Sequence, residues 1–226
     1  MLYKFSPSSL SLLKDCPRCF WLYFNKNISR PEAIHPSLKY GMDNVLKNHF
    51  DLSRKQGQLP LELQQLQKEV QFFPDEKLLA AWQDHRQGIQ IRDVQGNVLC
   101  GVLDFVLQKG KKLIVLNLKT RGFAIKKDTH LYYQDQLDLY NFLLQKNGFA
   151  TEKYAYLLFY HPEKFTSGRI DFQTKLVKID VSVKNAETIF QRAVKVLNGV
   201  LPSSSGECQY CRWVEENRNV GTSRNQ

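Results

Sequence analysis

The chain has 226 residues, 42% of them hydrophobic and 12% aromatic, the make-up of an ordinary globular protein long enough for one well-packed domain. Lysine and arginine number 32 against 22 acidic residues, a net charge of +10 that draws polyanions such as nucleic acid. No stretch approaches the roughly 20 apolar residues that span a bilayer, and no basic segment followed by an apolar core opens the chain. The expectation is a cytoplasmic protein without a signal peptide or a membrane partner.

In chain order, Ser6 and Pro7 open a helix, as cap and first-turn residue, that carries Leu10, Leu12 and Leu13 up to Cys16-Pro17-Arg18-Cys19. Phe20 to Phe24 follow as an aromatic anchor, with Trp21 and Phe24 read as a core plug. Residues 39–56 form a helix whose buried face is Met42, Val45, Leu46 and Phe50. Residues 56–66 read as a Gln-rich loop, 69–73 as a short strand and 76–86 as a short helix. Residues 88–93 and 98–107 alternate as strands around a turn at Gln95-Gly96-Asn97, and with 113–118 they predict a meander of at least three strands. Residues 129–147 are the clearest helix, with Leu139, Phe142 and Leu143 as a core stripe and Gly148 just past the end. Two strands follow, 152–160 and 169–181, then an amphipathic helix over 185–197. Residues 202–206 form a flexible linker that leads to Cys208-Gln-Tyr-Cys211, and 215–226 are polar and frayed.

The stretch richest in chemistry is Gly101-Val-Leu-Asp104, followed after a turn at 108–112 by Leu113-Ile-Val-Leu-Asn117-Leu-Lys119-Thr120. Side chains alternate along a strand, so Asn117 and Lys119 share a face. An acid, a polar group and a lysine then meet at one spot, the layout of a metal site with a lysine that stabilises an attacking hydroxide or a developing phosphate charge. Gln136 and Tyr140, four apart on the following helix, share a face.

These residues resemble the PD-(D/E)XK nuclease superfamily in its RecB-like branch. There Gly-x-x-Asp precedes (Asp/Glu)-x-Lys-Thr, and Gln-x-x-x-Tyr lies on the next helix. Gly101, Asp104, Lys119, Thr120, Gln136 and Tyr140 match, while Asn117 stands at the second acid. The Ser-rich helix leading into Cys-Pro and aromatic residues is similar too. The resemblance implies an α/β fold, a mixed central sheet flanked by helices with a restriction-endonuclease-like core. It also implies hydrolysis of DNA phosphodiesters with magnesium or manganese held at Asp104 and Asn117, Lys119 as the catalytic lysine, and Gln136 and Tyr140 in support. In that branch a helix carries Gly and, four residues on, a metal-binding His; here Gly41 is followed by Val45. Asp43 and His49 are read as solvated surface residues. Asp43, Asp135 and Asp138 are the acids that could replace the missing carboxylate.

Cys16, Cys19, Cys208 and Cys211 form two Cys-x-x-Cys pairs at opposite ends of the sequence, a strong metal-site signal. Some RecB-like nucleases join their termini with a [4Fe-4S] cluster, and the two-plus-two split equally suits zinc. The chain is thus expected to be a single domain over 1–226, with segments 1–30 and 200–215 joined at the four cysteines. Cys100 reads as a small core residue, and His35, His85, His130 and His161 as loop or helix-surface residues. Arg121, Lys126 and Lys127 read either as a basic lip beside the site, able to contact phosphates, or as a plain solvated loop. Two rivals to a nuclease stand open: a catalytically impaired DNA-binding module of the same fold, and a subunit of a repair or defence complex, with a helicase as one such partner.

Overall fold

The computed structural model describes residues 1–31 and 37–217; His35 lies outside them. The elements run β1 (Lys4–Phe5), α1 (Pro7–Asp15), α2 (Pro17–Lys26), α3 (Ser37–Lys55), β2 (Gln71–Phe72), α4 (Glu76–Gln83), β3 (Ile89–Arg92), β4 (Val98–Gly101), β5 (Phe105–Lys109), β6 (Lys112–Thr120), α5 (Gln134–Lys146), β7 (Tyr154–Thr166), β8 (Arg169–Asp180), α6 (Val183–Leu197) and α7 (Gln209–Asn217). They form two mixed sheets flanked by helices. One has the order β1-β4-β3, the other β2-β5-β6-β7-β8. In the larger sheet β6 runs parallel to β7, and the other neighbours are antiparallel.

Alternation along β6 decides where the site falls. Ile114, Leu116 and Leu118 pack with Phe50 of α3, Phe105 and Leu158 on one side of the sheet. Leu113 and Val115 pack with Leu139, Phe142 and Leu143 of α5 on the other. Asn117 and Lys119 continue this second row. The apolar row therefore gives way to polar groups at the strand's C-terminal end, under α5.

The expected meander is broken. β4 and β5 belong to different sheets, and residues 102–104 carry the chain between them. Asp104 thus stands at the entrance of β5 rather than within a strand. Gly101 has a packing reason: a Cβ there would come within 2.8 Å of Leu143 Cδ1 and 2.9 Å of Tyr140 Cε1. Only glycine lets β4 lie this close to α5.

Further departures from expectation have local causes. Val45 is exposed while Leu46 and Phe50 are buried, because the buried stripe of α3 runs through 46 and 50, one step round the helix from 45. Residues 61–66 make a 3-10 turn that buries Leu63 and Leu66, not a loop. His161 is buried on β7, which extends to Thr166. The polar C-terminal stretch begins as helix α7, which reaches Asn217. Of the expected aromatic plug, Phe20 is fully buried, whereas Trp21 and Phe24 are half-buried against the core. The N-terminal helix opens as its sequence requires: Ser6 and Ser9 form a reciprocal capping box with Pro7 in the first turn.

Candidate active site and cysteine centre

Asp104, Asn117, Lys119, Gln136 and Tyr140 all line one cleft of about 610 Å³. β6 supplies Asn117 and Lys119, α5 supplies Gln136 and Tyr140, and the crossing between the sheets supplies Asp104. The Lys119 ammonium donates to Gln136 Oε1 at 3.0 Å and lies 4.9 Å from the centre of the Tyr133 ring. Gln136 Nε2 in turn donates to the Tyr140 hydroxyl at 3.0 Å. Burial raises the Tyr140 phenol, and the Asp104 carboxylate adds to the shift, so the hydroxyl stays protonated.

Asp104 Oδ2 accepts from the Leu118 backbone N–H at 3.0 Å and from Asn117 Nδ2. Asn117 is buried, and its Oδ1 has no hydrogen-bond partner among the described residues. A buried acceptor left unpaired costs roughly 1–3 kcal/mol. Beside a carboxylate in a cleft it is the kind of atom a cation satisfies. The donors fit a hard divalent ion: one carboxylate and one orphaned amide oxygen, both oxygen ligands, with less charge than two acids would give.

Sequence reasoning missed Lys47. It reaches from α3 to 3.4 Å from Asp104 Oδ1 and 2.9 Å from Asp43 Oδ2. Burial alone would lower its ammonium, but the Asp104 and Asp43 carboxylates raise it, so the lysine remains charged. Asp43 lines the cleft and is not merely a solvated surface group. The signal was available: Asp43 and Lys47 stand four apart, just after Gly41, on one face of a helix.

The other two acids considered as replacements are elsewhere. Asp135 pairs with Lys14 at 2.8 Å. Asp138 is buried and accepts from Gln134, the Ser182 backbone and Asn185. Neither lines the cleft, because both point toward α6 rather than β6. His49 is exposed and 3.3 Å from Glu62, as a surface residue would be, while exposed His85 lines the cleft rim.

The two cysteine pairs meet although almost the whole chain separates them. The sulfurs of Cys16, Cys19, Cys208 and Cys211 all lie within 4.8 Å of one another, an arrangement able to bind a metal ion. Cys19 is 3.6 Å from both Cys208 and Cys211, and Cys16 is 3.8 Å from Cys211. The sequence places Cys16 between two helices as the N-cap of α2, and Pro17 starts the next turn. Arg30 was not anticipated here. Its Nη2 lies 3.7 Å from Cys208 Sγ, its guanidinium stacks 4.8 Å from the Tyr210 ring centre, and its Nη1 is 3.4 Å from Asp15. Burial opposes the guanidinium charge, but hydrogen bonding to Cys19 and the nearby sulfurs raise its pKa, so it is a fixed cation beside the thiols. Cys100 is buried on β4, its thiol 3.3 Å from the Gln87 carbonyl, apart from the cluster.

With the fold and the cleft in place, the comparison with protein families is clear. The profile of the PD-(D/E)XK nuclease superfamily matches residues 4–215. The chain belongs to that superfamily, and a nuclease-type function with a nucleic-acid substrate follows. None of the curated proteins matches it. No helix among the described residues is long and apolar enough to cross a membrane.

Proposed function

We propose that this protein is a RecB-like, metal-dependent deoxyribonuclease, with Asp104, Asn117, Lys119, Gln136 and Tyr140 as its working residues. The observation that carries this is the relay in which Tyr140 orients Gln136 and Gln136 holds Lys119 in the same cleft as Asp104. A lysine serving only as a surface charge needs no such fixing.

In this reading Asp104 and Asn117 hold magnesium or manganese, which supplies Lewis-acid polarisation of the phosphate and a more acidic bound water. Lys119 stabilises the negative charge of the attacking hydroxide and of the phosphorane-like transition state. Gln136 keeps the ammonium aimed into the cleft, which lowers the reorganisation needed at the moment of reaction. The Leu118 N–H and Asn117 Nδ2 fix the Asp104 carboxylate.

The chain acts as one cytoplasmic domain, with its first 30 residues and residues 200–215 joined at the cysteines. Zinc is the better occupant there. A tetrahedral ion with Zn–S bonds of about 2.3 Å sets its thiolates ~3.8 Å apart; three of the six sulfur pairs here are 3.6–3.8 Å apart, and all six lie within 4.8 Å. A cubane cluster holds each thiolate on a different iron and spreads the four sulfurs further.

The test is direct. Purified protein is incubated with single- and double-stranded DNA in magnesium and in manganese, beside Lys119→Ala. Metal-dependent cleavage lost in the variant supports the reading; equal cleavage by both proteins refutes it.

A further inference from the structure

Lys47 has no place in the scheme above, yet it contacts that scheme's principal acid. Asp104 Oδ2 is already taken by the Leu118 N–H and the Asn117 amide. The remaining oxygen, Oδ1, faces the Lys47 ammonium at 3.4 Å. Asp43 holds the same ammonium at 2.9 Å, one turn back on α3. Among the described residues that line the cleft, the carboxylates of Asp43 and Asp104 face three ammonium groups, those of Lys4, Lys47 and Lys119. An acid at position 117 would offset this excess of positive charge, but the residue there is a neutral amide.

We propose that Lys47 is a built-in competitor for the divalent metal: a tethered cation on the open oxygen of Asp104 that an incoming ion must displace, with Asp43 as the carboxylate that receives it. This rests on the reading of Asp104 as the metal ligand. Two cations cannot share one carboxylate oxygen without strong repulsion at such range. Either Lys47 swings to Asp43 alone, or the metal stays weakly bound. Lys47 is a positioning residue here, because it acts on the metal through Asp104. A phosphodiester entering the cleft would draw the ammonium away from Asp104, so metal and nucleic acid would bind cooperatively.

Manganese binding without nucleic acid is the test, followed by electron paramagnetic resonance titration of free Mn²⁺. Four proteins are compared with the wild type: Lys47→Met, which keeps the stem and removes the charge, Asp43→Asn with Lys47→Met, Asn117→Asp, and Asp104→Asn. Lys47→Met should bind Mn²⁺ at least about tenfold more tightly than the wild type, as expected when a unit charge is removed next to a ligand. Adding Asp43→Asn should give back part of that gain, because it removes a carboxylate charge from beside the same ion. Asp104→Asn should abolish this site. If Asn117→Asp binds the ion at Asp104 while Lys47→Met, folded by circular dichroism, matches the wild type or is weaker, the competitor proposal is wrong and the metal-site reading survives. If none of the proteins binds Mn²⁺ at Asp104, both fall.

Discussion

Asn117 donates its amide hydrogen to Asp104, so the residue that stands where a second acid is expected braces the first one. The amide leaves Oδ1 buried and unpaired. It keeps the shape of an acid and removes its charge. On the proposed metal-site reading, the cleft offers a dication one negative charge fewer than two acids would. Asn117→Asp should restore the charge, strengthen Mg²⁺ binding by about tenfold or more, and raise DNA cleavage. Calorimetric titration with Mg²⁺ and a plasmid-nicking assay check this. Unchanged affinity in a folded variant would show that Asn117 does not limit the site.

Tyr140→Phe removes only the hydroxyl that Gln136 Nε2 donates to, and the ring keeps its packing against Gly101. Gln136 then loses one of its two anchors, and Lys119 loses a fixed acceptor. The loss of one positioning hydrogen bond is worth about 1 kcal/mol, so kcat should fall roughly fivefold to tenfold with little change in melting temperature. Single-turnover cleavage measured beside a thermal melt separates the two effects. A large drop in melting temperature with unchanged turnover would mean that the hydroxyl serves the core.

Why the sequence revealed the cleft but not all of its contents is a matter of range. Alternation on β6 and the four-residue spacing of Gln136 and Tyr140 are local, and both survived folding. The crossing at residues 102–104 was hidden, because apolar residues on both sides of it read as one continuous strand. Lys47 was legible only in part. Its four-residue spacing to Asp43 is local, but its other partner, Asp104, is far away in sequence, and no periodicity links a helix surface to a strand entrance. The cysteine pairs were legible at any distance, because four thiols in two pairs have one common use.

Asp138 looked like a spare acid and is a structural strut. It is buried on α5 and accepts from Gln134, from the Ser182 N–H that begins α6 and from Asn185, at 2.7 to 2.9 Å. Asp138→Ala would strand those donors and should lower stability by about 2–4 kcal/mol, since several buried groups lose their partner together. Urea denaturation gives the loss. Cleavage per folded molecule should be unaffected, because the carboxylate faces α6. A variant as stable as the wild type, but without Mn²⁺ binding, would instead return Asp138 to the list of metal ligands.

Cys208→Ser tests the link between the two ends of the chain. Cys208 is buried beside Cys19 at 3.6 Å, and Arg30 Nη2 approaches the same sulfur at 3.7 Å. Neither Cys-x-x-Cys pair completes a tetrahedral site alone, so ion binding belongs to the folded state and its free energy adds to folding. Removing one thiolate should lower metal content well below one ion per chain and reduce the melting temperature by several degrees, since even ~1 kcal/mol shifts a domain of this size by about 2–4 °C. The Lys119–Gln136 contact lies in a different part of the fold, on β6 and α5, so Mn²⁺ binding at Asp104 should persist. Elemental analysis of anaerobically purified protein identifies the occupant. Zinc near one equivalent and a colourless solution are expected from the sulfur spacing, whereas a brown protein absorbing near ~400 nm would mean thiolate-bound iron and sulfide. If neither metal is found in the wild type, and Cys208→Ser melts at the same temperature, the cysteines do not join the termini through an ion.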